Sequence, residues 1–482
     1  MNRLDSSYSS INDIPIPEKI NELLKGDRLV NDAVHNMISF KEEFWKIIDT
    51  PEFQRLRDIK QLGPVYSVFS GAVHTRFEHS LGVGYMVQTM MDHFKQTQYR
   101  ELDIETRDYK NIVVAGLCND LGQGIYSHLF DRMLIPTLEP NLNWDYKDAS
   151  VMMLKRLIDN NNIEIDSSDL KMVIEFIRGD SDKVSSIISD QKVWLFDLVS
   201  NKKNAIDADK FDYIQRDIYN LGLSRKTFDP NRLIYSCKVS NNQICYHIKN
   251  SAQLKELFQQ RYNMFKQVYC HKVCQAVSLM FVDALVEVNP YFKFIDNLNN
   301  SKEYYNYTDP LIKYVQDQRK KVEFKSAQVI LDRITKRDLY KFVGEKLLDT
   351  PHYMKIRHKI DLQALINCQK ISNLRVEDVS LHQFSINYGR GIQNPVDMIQ
   401  FYEKTAPIND EEILNFDLQT QPIIQKVPEN SYQVNRITLM PNEFSESYIR
   451  LFVKDSENQE AAEQAFETYF KKLLSIEPQG KS

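Results

Sequence analysis

The stretch Cys118-Asn119-Asp120-Leu121-Gly122-Gln123-Gly124-Ile125-Tyr126-Ser127-His128 decides how this chain is read. It follows Asn-Ile-Val-Val-Ala-Gly-Leu at 111–117, where aliphatic residues recur at helical spacing. A carboxylate placed directly after such a run must be ion-paired, hydrogen-bonded or metal-bound. Two other segments set acids and histidines beside apolar helical patterns. One is His74-Thr75-Arg76-Phe77-Glu78-His79-Ser80-Leu81-Gly82; the other runs from Asn204 through Asp207, Asp209, Lys210, Asp212 and Tyr213 to Arg216-Asp217. Each alone is a weak signal, because a single histidine on an amphipathic helix is usually a satisfied core residue.

Around these segments, the pattern predicts a mainly α fold: a helical core followed by a smaller C-terminal α+β lobe. Residues 1–22 are polar, with Pro15 and Pro17, and read as a flexible tail. Residues 23–290 read as the helical domain, helical almost throughout from Asp27 to about Asn289. Thr50-Pro51 gives an N-cap with proline at the first helical position. Two alternating runs flank Ser-Asn-Asn within 233–249, a hairpin signal. A further helix is expected from Ala252 to about Val288. Residues 291–372 read as connecting helices and an exposed Asn/Tyr/Lys-rich loop at 294–325, with helical spacing again in AQVILDRITKRDLYKFVG. Residues 373–482 form the expected lobe, with strands in VSLHQFSINYG, VNRITLM and YIRLFVK and a last helix at 458–476.

The chain has 482 residues, too many for one ordinary domain, and its 42% hydrophobic content suffices for a large core. A formal net charge of −5 argues against non-specific nucleic-acid binding by the whole chain. The six cysteines, at 118, 237, 245, 270, 274 and 368, contain no CxxC pair. Neither a zinc knuckle nor a disulfide framework is indicated, and reduced thiols in the cytoplasm or nucleus are the simple reading. Cys270 and Cys274, one helical turn apart, read as packing residues. No apolar run is expected to span a membrane, and the N-terminus lacks a secretory pattern.

Taken in order, RFEHSLGVGY, the AGLCNDLGQGIYSH stretch and the IDADKFDY segment with its following Arg-Asp resemble the metal-dependent HD-domain deoxynucleoside triphosphate triphosphohydrolases. IIDTPEFQRLRDIKQLG, YCHKV and NPVDMIQFYEKTAP extend the resemblance from about residue 27 to 475, toward the animal branch in which a SAM domain precedes the HD domain. No SAM-like segment is expected here. The resemblance implies that His79, Asn119, Asp120 and Asp209 occupy the positions of two histidines and two aspartates that hold a transition metal (iron, zinc or manganese). The adjacent His-Asp pair that names the fold is therefore Asn119-Asp120. Gln123 replaces a further active-site histidine, Tyr146 replaces an expected catalytic histidine, and His128 matches. An amide oxygen is a poor substitute for imidazole on such metals.

The remaining matches are closer. By resemblance, Arg76, Lys210, Tyr213, Asp217, Arg261, Tyr269 and His271 grip triphosphate, ribose or base. Gln61 and Leu62 lie against the sugar. Asp49, Gln54 and Arg57 read guanine at an allosteric site, whose phosphate contacts begin at Arg28 and Asn31. The implied ligands are a dNTP or GTP with Mg²⁺, and the implied assembly is a homo-oligomer or a subunit of a larger complex. Three lost imidazoles predict a catalytically impaired, nucleotide-binding regulator or structural subunit; the alternative is an active enzyme releasing deoxynucleoside and triphosphate.

Overall fold

A computed structural model describes residues 27–180, 189–223, 228–370, 374–403, 441 and 443–476. The expected tail at 1–22 and the expected strand VNRITLM lie outside the described residues.

The first element corrects the helical reading. Strands β1 (Asp27–Asp32) and β2 (Asn36–Lys41) form an antiparallel hairpin, paired from Asp27↔Lys41 to Asp32↔Asn36. Asn36 takes the left-handed φ of 62° that short polar side chains tolerate. Ile38 and Phe40 alternate into the core, a period of two that a short stretch does not distinguish from a helical face. At the next turn Thr50 caps as expected, accepting from Phe53 N–H with Pro51 at the first helical position.

The principal helices are α1 (Arg76–Thr97), α2 (Thr106–Cys118), α3 (Tyr146–Asn161), α4 (Ser167–Arg178) and α5 (Ala208–Asn220). α1 starts at a Thr75/Glu78 capping box, and packs on α2 and α5. Gly84 lets α1 approach α2: a Cβ there would stand 2.5 Å from a Leu117 methyl. The central hairpin is β3 (Cys237–Ser240) and β4 (Gln243–His247), turned by Asn241 and Asn242, both with positive φ, as a two-residue hairpin requires. It is shorter than expected, because Leu233 and Ile234 end a helical turn over Pro230–Ile234.

The long helix expected after Ala252 is broken. α6 (Ser251–Met264) widens into a π turn at Phe265–Tyr269, and α7 (Lys272–Phe292) restarts after Cys270-His271. α7 is long and apolar enough to cross a membrane by length and composition, with a mean hydropathy of 1.3 in its most apolar window, contrary to the sequence expectation. Its Val277, Met280, Phe281 and Leu285 are buried in the main hydrophobic cluster. The Tyr-rich segment is also not an exposed loop. Phe294, Tyr304, Tyr307 and Phe324 are buried in that cluster, so tyrosine here supplies core area that few aliphatics announce.

α8 (Pro310–Asp317) and α9 (Lys325–Thr335) complete the helical layer. The expected helical run ends there, because Lys341–Asp349 is strand β5. β6 (Val379–Asn387) and β8 (Ser445–Val453) make an antiparallel sheet with it in the order β5-β8-β6, while β7 (Phe401–Tyr402) pairs parallel to β4. α10 (Gln459–Ile476) covers this sheet over a second cluster containing Ile449, Leu451, Phe466 and Phe470. The mainly α fold with a smaller α+β lobe is as the sequence predicts.

Candidate functional site

α1, the end of α2 and the start of α5 bring three ligand-type side chains together. His79 Nε2 lies 3.1 Å from Asp209 Oδ1 and 3.3 Å from Asp120 Oδ2. The three ligand atoms lie within 4.8 Å of one another, the only such group of His, Cys, Asp or Glu among the described residues. The opposite ring nitrogen, Nδ1, is 2.7 Å from Asp212 Oδ2. A carboxylate behind an imidazole in this way fixes its tautomer and aims the other nitrogen, as in metal sites. Burial alone would lower the His79 pKa, but bonds to Asp120, Asp209 and Asp212 raise it well above the imidazole range. Burial would likewise raise Asp212, yet Arg216, His35 and His79 hold it well below the carboxylate range. The pocket is built for positive charge.

Asn119 follows α2 as its C-cap; its side-chain oxygen is buried and has no hydrogen-bond partner. Gln123 is 1% exposed, and neither end of its amide is paired. Such orphaned buried polar atoms are rare and expect a ligand, water or ion. The donor set therefore fits a divalent cation through one imidazole and two carboxylates, with the Asn119 amide oxygen beside them in sequence.

The loop from Gly122 to His128 is held firmly. Gly122 touches the start of α3, where a Cβ would stand 2.0 Å from Ser150 N. Tyr126 and Ser127 both take left-handed φ, of 55° and 57°, strain of the kind that collects at functional sites. Arg55 is buried, with its guanidinium on backbone carbonyls. It donates to the carbonyls of Leu121, just before this loop, and Gln123 within it, and to those of Tyr304, Tyr305 and Tyr307. His128, two-fifths exposed, pairs through Nδ1 with Asp131 at 3.1 Å. Its ring centroid is 5.9 Å from that of Tyr146, edge to face. Burial, with the Asp120 and Asp209 charges, pushes the Tyr146 phenol well above its ordinary value.

Arg76 donates to Asp120 Oδ2 at 2.6 Å, to Ser127 Oγ at 2.9 Å and to the Gln61 carbonyl at 3.3 Å. Gln61 is buried with its side-chain oxygen unpaired, and Leu62 is half-buried next to it. Lys210 reaches back to Asp207 at 3.1 Å. Tyr213 feels both Lys210 and Arg261, which moderate the rise that burial imposes on its phenol. Asp217 receives His74 at 2.7 Å and the Tyr269 hydroxyl at 2.5 Å. Arg261 donates to the Asn387 carbonyl and keeps a buried, unpaired Nε. His271 begins α7 with a buried, unpaired Nδ1 and its ring against Phe69.

The five residues expected to read an allosteric nucleotide lie nearer the surface, as two pairs and the exposed Asn31. Arg28 pairs with Asp49 at 2.5 Å and lies over the Trp45 ring at 4.0 Å, both charged side chains about half exposed. Asn31 is exposed on β1. Gln54 accepts from Arg57 at 2.7 Å and donates to the Ile48 carbonyl, while Arg57 stacks 3.4 Å over Phe77.

Sequence reasoning passed over several residues of the site. Asp131, Arg55 and the Asp32/His35 pair are given no role by the sequence alone, and His74, Asp212 and Arg216 stand in its segments without one. Asp212 and Arg216 carry a usable signal: opposite charges four residues apart on a segment of helical spacing.

A family model described as "HD associated region" matches residues 228–361. The "Deoxynucleoside triphosphate triphosphohydrolase SAMHD1 homolog" of Dictyostelium discoideum is 35% identical over 452 residues, covering 93% of this chain and 81% of that protein. "Deoxynucleoside triphosphate triphosphohydrolase SAMHD1" of Homo sapiens is 33% identical over 481 residues, covering 91% and 72%. The "Putative HD domain-containing protein L394" of Acanthamoeba polyphaga mimivirus is 31% identical, covering 76% of this chain. This extent of identity, over about nine-tenths of the chain, places the protein in one group: it belongs to the SAMHD1 family of deoxynucleoside triphosphate triphosphohydrolases.

Proposed function

We propose that this chain binds deoxynucleoside triphosphates or GTP and hydrolyses them very slowly, acting as a nucleotide-responsive regulator or as a subunit of an assembly. The observation that carries this reading is the wall around the His79–Asp120–Asp209 triad. Asn119, Gln123 and Tyr146 stand where three imidazoles are expected, and both amides are buried with unpaired atoms. A divalent metal held by the triad would polarise a phosphate and activate water.

The protein's own side chains then set the rate. Arg76, Lys210 and Arg261 supply positive charge for a triphosphate. The departing 5′-oxygen needs a proton, and a well-placed histidine contributes about 10²–10⁴ in rate. A phenol starts near about 10 and is a weak donor at neutral pH. Burial makes Tyr146 weaker still. The surviving triad and the His128–Asp131 pair favour a second reading, a working hydrolase in which His128 supplies the proton.

Restoring the imidazoles tests both readings. Wild type should show a raised melting temperature with millimolar dGTP or GTP and almost no triphosphate release. Asn119→His and Tyr146→His singly should change little. The variant carrying Asn119→His, Gln123→His and Tyr146→His should release triphosphate at more than the summed rates, as residues acting together do. Ordinary enzymatic turnover by wild type would establish the second reading instead. A nucleotide-insensitive melting temperature would sink nucleotide binding.

A further inference from the structure

Four polar side chains outside the ligand triad form one buried chain between the β1–β2 turn and His79. Asp32, at the end of β1, accepts through Oδ1 from the N–H groups of Val34 and His35 at 2.8 and 2.9 Å, which fixes the turn. Its other oxygen accepts from Arg216 Nη1 at 2.9 Å. Arg216 also holds both oxygens of Asp212, one turn earlier on α5, at 2.8 and 2.9 Å. His35 Nε2 donates to Asp212 Oδ1 at 2.7 Å. The remaining position on Asp212 meets His79 Nδ1. The four side chains are between 0% and 6% exposed.

Such a knot is a poor source of stability, since buried ion pairs replaced by apolar side chains are often neutral or better. Its geometry supplies a different reason for it. An imidazole turns about two bonds, and a carboxylate on Nδ1 fixes both tautomer and ring plane. Asp212 can do this only if it is itself immobile, and its other contacts come from Arg216 and from the hairpin turn. The backbone of α1 is shaped for the same contact: Gly82 leaves room where a Cβ would lie 1.8 Å from Asp212 Oδ1.

We propose that Asp32 and His35 are positioning residues for the His79 imidazole, acting through Arg216 and Asp212. The proposal rests on the metal-holding role given to His79 above.

Mn²⁺ is the probe. Its affinity is measured by electron paramagnetic resonance for wild type, His35→Ala, His35→Gln and Asp32→Ala. In parallel, the downfield ring proton of His79 is followed by NMR without metal, assigned by its loss in His79→Gln. Folding is checked by circular dichroism. The alanine variants should bind Mn²⁺ about tenfold more weakly, at the lower end of the about 10–100-fold known for outer-shell partners. The His79 proton signal should shift or vanish in them. His35→Gln, whose amide still donates to Asp212, should keep most of both. If the alanine variants do not fold, His35→Gln against the shorter His35→Asn makes the same comparison.

A folded His35→Ala with wild-type Mn²⁺ affinity and an unmoved His79 signal overturns the proposal. So does weaker Mn²⁺ binding with that signal unmoved, because the loss would then bypass His79. If wild type binds no Mn²⁺, the metal-holding reading fails by itself, and the proton signal alone decides the positioning role.

Discussion

Replacing Gly82 by alanine should destabilise the protein, although in most helices the same change is favourable. An exposed Gly→Ala substitution gains about 1 kcal/mol in helix propensity. At Gly82 the added carbon would stand 1.8 Å from Asp212 Oδ1, 2.5 Å from Asp212 Cγ and 2.6 Å from Arg216 Nη2. Non-bonded heavy atoms settle about 3.5 Å apart, so the carboxylate has to retreat by roughly 1.5 Å. It cannot do so and keep bonds of 2.7 Å to both His79 and His35, since hydrogen bonds weaken steeply beyond about 3.2 Å. Overpacking costs about 1–3 kcal/mol, and breaking a buried charge pair about 3–5 kcal/mol. Against the propensity gain, a net loss of about 3–7 kcal/mol is expected. Urea unfolding of wild type and Gly82→Ala, compared at equal m-value, measures it. An alanine variant as stable as wild type, or more so, would refute the close approach of α1 to the Asp212–Arg216 pair.

Two further outcomes follow from buried charges elsewhere. Arg55→Met should cost about 3–5 kcal/mol, because four buried carbonyls and the half-buried one of Tyr305 lose a donor at about 1 kcal/mol each; a loss under about 1 kcal/mol in urea unfolding would count against that network. Asp309 is pushed up to about 6 by burial, despite N–H donors from Lys60 and Tyr126 and the nearby Lys60 charge. The folded state thus binds its proton more tightly than the unfolded chain, and the stability it contributes is present below about pH 4 and lost as pH rises to about 6. The stability of wild type relative to Asp309→Asn should fall by about 2–3 kcal/mol across that window; a flat difference between pH 4 and 7.5 would contradict this.

The sequence announced the site better than the scaffold around it. Asp120 after an apolar run had to be paired, and it is, by Arg76 and His79. Thr50-Pro51 and the Asn-Asn turn were legible because capping and turn chemistry are local. The β1–β2 hairpin was not, since alternating Ile38 and Phe40 are too few to separate a strand from a helix face. The break at Cys270-His271 carries no proline or glycine to mark it. The burial of Tyr304 and Tyr307 depends on partners far away in sequence, which composition cannot supply. The same holds for Asp32 and His35, whose importance lies in reaching Asp212 across 180 and 177 positions of sequence respectively, through Arg216 in the first case.

Arg55 also ties together the order in which the chain is made. Its guanidinium meets the carbonyl of Tyr305, 250 positions later. At about 5–20 residues per second, a ribosome delivers that carbonyl roughly 12–50 s after Arg55 itself. Until then a charge destined for a dry interior, and the loop carrying Asp120 that leans on it, must wait in water. The loop around Asp120 can thus set only after well over half of the chain has been made, although its residues emerge in the first third.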